Sequence, residues 1–394
     1  MKLATIGVGN AGSKVVDRMV EFESKTNRSL CRHVHAINTA RTDLAKPEYI
    51  PEEQRVLVGD TNQKSKGHGV GGDVEIGAEV MSADVDEIRR AFDDIEIHNV
   101  DAILVAAGLG GGTGSGGGPV VIDALQDMYD EPVYALGILP GEYEGGRPAL
   151  NAARSLQSFV NKVDNFIGFD NDAWRAREQT IQEGYEEMNR ELAARIVTLL
   201  AAGETDDTDV AENAMDSSDI IRTLATDGVS SIGYAATAVD AQPEGLLDRW
   251  GGSGASAEDP LDDASQAKKI KSLVRRATNS RLTLPCEVSS AERVLVVVSG
   301  PPSEFSRKGI ESARQWLEQE AGTVEILVGD DPREGSSRLA AAVLLSNVSD
   351  APRIETLQNQ AVDAQEQIAE QEAAREEKIN DLITDENDDL DPVI

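Results

Sequence analysis

Cysteine, lysine, histidine and aromatic residues are all scarce in this chain of 394 residues, and each shortage excludes something. The two cysteines, Cys31 and Cys286, lie far apart, so no disulfide framework follows. His33, His35, His68 and His98 come without cysteine partners at metal-ligand spacings, so no protein-held metal is expected. Only 12 lysines stand beside 25 arginines, and together these 37 bases face 71 acids, a formal net charge of −34. Such a field repels phosphate backbones and anionic lipid heads, which argues against nucleic-acid and membrane-surface binding. Long apolar runs are missing too. Val294–Val298 is of strand length, far short of a membrane span, so no membrane insertion is expected. The first residues carry one lysine and then a glycine-rich segment, which is no signal peptide, and a cytoplasmic protein is expected.

What is present is a foldable chain. Forty per cent of the residues are hydrophobic and fall in periodic runs, which excludes a disordered acidic protein. The length suits two or three domains. The acid is spread over the whole sequence instead of one block, and aromatics are only 4%. A carboxylate-rich, lysine-poor surface stays hydrated in concentrated salt, where counterions screen its self-repulsion. A halophilic protein is the reading.

Strand and helix signals alternate over the first 170 residues. Leu3–Ile6, His33–Ile37, Val56–Val58, Ile103–Ala106 and Val133–Leu139 read as strands, and the continuous apolar runs suit strands covered on both faces. A helix is expected from Asn10 to about Phe22. The pattern is α/β, an open, doubly wound, mostly parallel sheet. A long helix follows from about Gln179 to Ala202, with Ile181, Tyr185, Met188, Leu192, Ile196 and Leu199 on one stripe. Glu204–Asp209 reads as a loop and Asp216–Ala225 as a shorter helix. A smaller α/β domain with a mixed sheet is expected from near Ser230. Its elements are a strand at 230–239, a loop over Asp240–Ser265 and a helix over Ala267–Thr278. Further strands are expected at Val294–Val298, Val324–Val328 and Leu339–Leu345, with a helix over Ser306–Glu320. From Glu355 to Ile394 there are 13 acids against Arg375 and Lys378. Gln358–Ile383 reads as a solvated helix and Asp385–Ile394 as disordered. There is no internal repeat.

Glycine loops carry the chemistry. Gly7-Val8-Gly9-Asn10-Ala11-Gly12 follows a strand and opens a helix, where free N–H groups and a positive dipole end suit a phosphate. A dinucleotide fold and a ligand-free tight turn are the alternatives. The dinucleotide reading, that of an oxidoreductase, expects an acid after the second strand, and Asn38 stands there instead. Gly110-Gly111-Gly112-Thr113-Gly114-Ser115-Gly116 lies between a strand and the helical run Val120–Met128. It suits a nest of N–H groups around a polyphosphate, with the Thr113 and Ser115 hydroxyls as further donors. It lacks the Lys-Ser/Thr ending of a Walker loop. Two such loops on one sheet imply a long anionic ligand across the strand ends. Gly67–Asp73, with Gly71 and Gly72, either closes over that ligand or is a mobile surface loop.

Together these residues resemble the tubulin and FtsZ superfamily of GTP-dependent filament proteins. Gly110–Gly116 matches its GGGTG[ST]G signature. Ala36–Thr39, with Asn38, looks like the second nucleotide loop, and Gly67–Gly77 is similar to the third, with Val74 in place of its proline. The resemblance runs from Met1 to about Val348. The composition and the segment Pro140–Ser155 look most like the CetZ group of haloarchaeal tubulin-like proteins.

The resemblance implies residue roles. Gly9, Asn10, Ala11, Gly12, Ser13 and Lys14 look like the first phosphate loop, and Gly110, Gly111, Gly112, Thr113 and Gly114 like the loop that wraps the phosphates. Glu144 matches a glutamate near the ribose, and Asn171 the asparagine that reads guanine. Arg147 sits one position before the FtsZ arginine. Tyr185 and Asn189, four apart on the long helix, look like a base-stacking ring and an edge-reading amide, the alternative being a core ring beside an exposed amide. Asp216 and Asp219 align with the seventh loop, whose asparagine is replaced by Ala214. Asp219 occupies the position of the water-polarising acid, and Asp216 is equally a helix cap.

The implied protein is a GTPase that binds GTP and GDP with Mg²⁺ on the nucleotide. It assembles head to tail with itself, and the seventh loop of one subunit completes the site of the next. The implied division is 1–178 for GTP binding, 179–203 for the central helix and 204–229 for the catalytic loop and next helix. Residues 230–350 then form a C-terminal domain and 351–394 an acidic tail. The tail ends in Pro392-Val393-Ile394, without an apolar peptide for a division anchor, which favours cell shape over division. Cytoskeletal adaptor proteins would bind that tail and bring the protein to the inner face of the envelope. An FtsZ-like division filament and a non-polymerising GTP-binding regulator are the alternatives.

Overall fold

The computed structural model describes residues 1–174, 181–202, 215–239, 260–323 and 325–383. Ten strands form one sheet: β1 (Leu3–Val8), β2 (Cys31–Asn38), β3 (Arg55–Leu57), β4 (Ala102–Gly108), β5 (Val133–Leu139), β6 (Asn165–Asp170), β7 (Gly228–Ala238), β8 (Ala291–Gly300), β9 (Ile326–Pro332) and β10 (Arg338–Val348). Their order is β3-β2-β1-β4-β5-β6-β7-β10-β8-β9. All pairs from β3 to β7 are parallel, β10 runs antiparallel to β7 and β8, and β9 pairs parallel with β8. The chain winds outward from β1 in one direction and from β4 in the other. Such a switch point leaves a crevice at the carboxyl ends of the strands.

The helices among the described residues are α1 (Gly9–Thr26), α2 (Arg41–Leu44), α3 (Val74–Ala83), α4 (Val85–Phe92), α5 (Gly112–Met128), α6 (Gly146–Val160), α7 (Asn171–Trp174), α8 (Ile181–Leu200), α9 (Ser217–Leu224), α10 (Pro260–Asn279), α11 (Arg307–Ala321) and α12 (Pro352–Ile383). One apolar layer holds α1 and α8 on a face of the sheet. Val15, Val16 and Met19 meet Leu192, Ile196 and Leu199, and the same layer continues into Leu295, Val297 and Leu344. The stripe of α8 therefore serves both halves of the sheet, as its three- and four-residue spacing requires. The opposite face carries α3 to α6, with Val121, Phe159 and Leu357 in its core. A third layer places α10 and α11 on the C-terminal strands.

The seam between β6 and β7, within the joint of the halves, is polar. Only Asn165–Ile167 of β6 pair with β7. Buried Asn165 donates from Nδ2 to Leu224 O (3.0 Å), Thr226 Oγ1 (3.1 Å) and Ser346 Oγ (3.3 Å). Thr226 and Ser230 also bond the Ser346 hydroxyl, at 2.9 and 3.2 Å.

Several elements depart from the sequence reading; the strand expected at Val324–Val328, for one, is observed at Ile326–Pro332. The helix expected at Val120 begins at Gly112, so the glycines through Gly118 are helical and Pro119 lies inside the helix. Their smallness allows α3 to lie close: a Cβ on Gly116 would fall 2.0 Å from Val74 O. The loop expected through Ser265 is helical from Pro260, because proline suits the first turn of a helix. The acidic terminal helix starts earlier, at Pro352, and its first part is docked instead of solvated. Arg353, Leu357, Ala361 and Ala364 are buried, whereas 365–380 are exposed. The expected loop at Glu204–Asp209, the start of the long helix at Gln179 and the tail Asp385–Ile394 lie outside the described residues.

Candidate functional site

At the switch point the turn after β1 and the turn after β4 lie against each other. Gly9 has φ +72°, and a Cβ there would stand 3.1 Å from Gly114 N. Gly12 sits on β4 so closely that a Cβ would meet Ala106 O at 2.0 Å. Gly111, by contrast, faces open space, with no atom within 4 Å of where a Cβ would stand. It is the residue before α5, whose first N–H groups have no helical partner. Asn10 is exposed, and Ala11 and Lys14 are half-buried. Ser13 is buried and its hydroxyl donates to Gly7 O at 3.3 Å.

Side chains tie the loops together. The Thr39 and Thr113 hydroxyls are 2.7 Å apart, linking the second loop to the start of α5. Asn38 is 2% exposed, and its Nδ2 is a buried donor with no partner among the described residues. Gly71 and Gly72 have positive φ and open space beside them. Asn151 on α6 donates from Nδ2 to Gly72 O (2.9 Å) and Gly110 O (3.0 Å), stapling the third loop to the glycine turn before α5. Arg147 approaches Asp73, the cap of α3, at 3.7 Å. The Ser115 hydroxyl, expected as a ligand donor, is instead turned inward. It is 2% exposed and donates to Leu109 O at 2.5 Å, so it closes its own turn.

A second corner lies at the ends of β5 and β6. Glu144 Oε1 accepts from Gly141 N (2.9 Å) and from Asn171 Nδ2 (3.1 Å). The Tyr143 hydroxyl donates to the Tyr185 hydroxyl at 3.0 Å. Burial raises the Tyr185 phenol above its usual range, and the Tyr143 bond and the Glu144 charge add to this, so the ring stays neutral. Asn189, four residues on, is half-buried. Glu144, Asn171 and Tyr185, far apart in sequence, thus meet in one place.

Asp216 and Asp219 are not brought to these loops. They open α9, which follows α8. Met1 N, before β1, donates to Leu200 O at the end of α8 (2.8 Å), and Asn165 at the start of β6 bonds Leu224 at the end of α9. Both contacts lie at the amino edge of the sheet, while the glycine turns lie at the carboxyl edge. A six-residue strand separates these edges by roughly 20 Å. Asp216 is the cap of α9: its side chain accepts from Asp219 N at 3.0 Å and from the Ser218 hydroxyl at 2.5 Å. Those bonds, the Ser218 one foremost, hold its carboxyl below the usual range. Asp219 is half-buried, and its carboxylate accepts from Asp216 N at 3.4 Å, its one side-chain hydrogen bond among the described residues. Asp216→Ala should therefore cost about 1 kcal/mol of stability while Asp216→Asn stays near wild type, a difference that denaturant titration reads. The cap's contribution is present above the carboxyl's unfolded range and is lost as pH falls through its lowered native value.

Arg353 and Asn151 were not legible as site residues. Each is a lone polar side chain in a helix, without a motif around it. Among the described residues no group of three or more His, Cys, Asp or Glu is placed to hold a metal, and no helix is long and apolar enough to cross a membrane.

A double-glycine crevice at a sheet switch point, on one sheet with a mixed second half, fits a tubulin-type protein. Residues 2–178 match the family described as Tubulin/FtsZ family, GTPase domain, and residues 178–363 match the tubulin-like CetZ, C-terminal domain. CetZ3 of Haloferax volcanii is 50% identical over 394 residues, covering 100% of both chains. The chain belongs to the CetZ family of tubulin-like proteins. Its structure is similar to the GDP-bound monomer of CetZ1 from Haloferax volcanii, with TM-score 0.80, 46% identity and coverage of 93% of this chain and 100% of that one. It is equally similar to the GTPγS-bound protofilament of CetZ2 from the same organism, with TM-score 0.80, 37% identity and coverage of 94% and 100%.

Proposed function

We propose that this protein binds GTP across the crevice, assembles head to tail into filaments and hydrolyses GTP at a site completed by the next copy. The separation of the two half-sites carries the reading. A donor-rich cradle lies at one edge of the sheet and Asp219 at the other, so Asp219 reaches a nucleotide only from a neighbouring molecule. The phosphates suit the turns Gly9–Gly12 and Gly110–Gly114, with Gly71 and Gly72 beside them and the unpartnered Asn38 amide as a further donor. Glu144 and Asn171 suit the ribose and guanine, with the Tyr185 ring and the Asn189 amide on the base. Mg²⁺ carried on the nucleotide would neutralise phosphate charge. Asp219 would orient the attacking water, and Asp216, by capping α9, would hold it in place. The related CetZ1 and CetZ2 structures, one a GDP-bound monomer and the other a GTPγS-bound protofilament, support this reading.

The composite site is tested by concentration. GTP turnover per subunit should rise with protein concentration, and a flat dependence would argue against it. We also propose the division 1–178, 179–203, 204–229, 230–350 and 351–394 for the parts named above. The cellular role proposed is control of cell shape, from the cytoplasm, with adaptors on the acidic tail.

Charge sets a condition on assembly. Copies carrying −34 each must pack together, and a Debye length of about 3 Å at 1 M salt removes most of their repulsion. Light scattering with GTP and Mg²⁺ should rise in multimolar KCl and stay flat in dilute buffer. Assembly that is strongest without salt would overturn this.

A further inference from the structure

A residue that braces the corner at the ends of β5 and β6 lies on the carboxy-terminal helix. Arg353 is 8% exposed. Its Nε donates to Asp170 Oδ1 at 2.9 Å, and its Nη2 donates to Pro140 O at 2.7 Å and stands 3.0 Å from Asp172 Oδ2. Nη1 is turned to Gln360 Oε1, 3.3 Å away on the same helix, which fixes the plane of the guanidinium. Pro140 begins the turn that carries Glu144. Asp170 ends β6 and immediately precedes Asn171. Asp172 receives the Glu142 N–H on both oxygens, at 2.9 and 2.8 Å. One rigid fork therefore touches both loops, and the 3.1 Å contact between Glu144 and Asn171 depends on where it holds them.

The helix is well placed for this. Leu357 is buried in the layer beneath α6, and a Cβ on Gly146, at the start of α6, would stand 2.9 Å from Ala364 Cβ. The phosphate turns are held by other contacts, the Thr39–Thr113 and Asn151 bonds, and Arg353 makes none of them.

We propose that Arg353 is a positioning residue for nucleoside recognition, so that docking of α12 and recognition of the guanine nucleoside are one event; this rests on the GTP-binding reading above. The geometry assigns α12 to the pocket although the helix reaches no ligand itself. Loss of the fork loosens the corner that holds the ribose and base and leaves the phosphate cradle as it was.

The test compares wild type, Arg353→Ala, Arg353→Lys and Asp172→Ala in concentrated KCl. Affinities for GTP, ATP and inorganic tripolyphosphate are measured beside thermal melting. Arg353→Ala should lose about tenfold or more in GTP affinity and most of its preference for GTP over ATP, with tripolyphosphate within about twofold. Asp172→Ala should move the same way by about threefold with little change in melting, since it cuts the tie to Glu142 and one contact of the fork but leaves Arg353 bonded to Asp170 and Pro140. Arg353→Lys should restore melting, because it keeps a charge beside Asp170, but not the preference for GTP, because it lacks the fork. Equal losses for GTP and tripolyphosphate overturn the proposal, as does a drop in melting with the GTP preference intact. If Arg353→Ala does not fold, the other two variants decide. Wild-type protein that fails to bind GTP overturns the nucleotide reading itself, a result seen before any variant is compared.

Discussion

Replacing Asp219 by alanine should lower GTP turnover by at least about a hundredfold while leaving GTP affinity unchanged, the loss typical of a removed acid–base group. The fold should hardly notice. Asp216 still caps α9 through the residue-219 N–H, and the contact that Asp219 itself makes is long, at 3.4 Å. GTP affinity should persist because the glycine turns lie at the other edge of the sheet. Filaments should outlast those of wild type, since their nucleotide is not consumed. Mixing sharpens the test. Asp219→Ala combined with a variant unable to bind nucleotide should regain turnover that neither shows alone. One kind of contact in the mixed filament joins an intact pocket to an intact Asp219. Unchanged turnover in Asp219→Ala, or no recovery on mixing, would remove Asp219 from the role.

Two glycines on neighbouring turns should respond oppositely to the same methyl group. Gly12→Ala places a Cβ 2.0 Å from Ala106 O, a backbone atom of the central β4 that cannot give way. Stability should fall by about 3 kcal/mol or more, at or beyond the upper end for overpacking, and melting should show it. Gly111→Ala meets nothing within 4 Å, and its φ of −93° is open to any residue. Its stability should stay within about 0.5 kcal/mol of wild type. If the open space is where phosphate lies, GTP affinity should nevertheless drop about tenfold, and isothermal titration would measure it. A Gly111→Ala variant with full affinity would place the phosphates elsewhere.

Much of this was legible from residue order. The α/β class, the two glycine turns and the stripe of α8 follow from periodicity and from glycine between strand and helix. The wrapping loop was legible only in part. Gly112–Gly118 read as loop because glycine weakens helices, yet tertiary packing against α3 overrides that preference. β6, α3, α4 and α6 were not delineated in the sequence, since glycines and charged residues interrupt their apolar spacing. The start of α12 was hidden in the same way. Its few buried residues, Arg353 and Leu357 among them, are diluted by the acids that follow. Pairings across the fold, such as Asn151 with Gly72 and Gly110, leave no mark on local sequence.

The polar joint at Asn165, Thr226, Ser230 and Ser346 has a bearing on how such a protein lives with salt. Ion pairs fade as counterions crowd in, and apolar contacts tighten under salts that are excluded from the surface. Short, directional bonds between uncharged groups do neither. The amide and hydroxyls therefore hold the seam of β6 and β7 alike from dilute buffer to brine, whereas the apolar layer of α8 and the buried Arg28–Asp331 ion pair, which also link the two halves, answer to salt in their own ways.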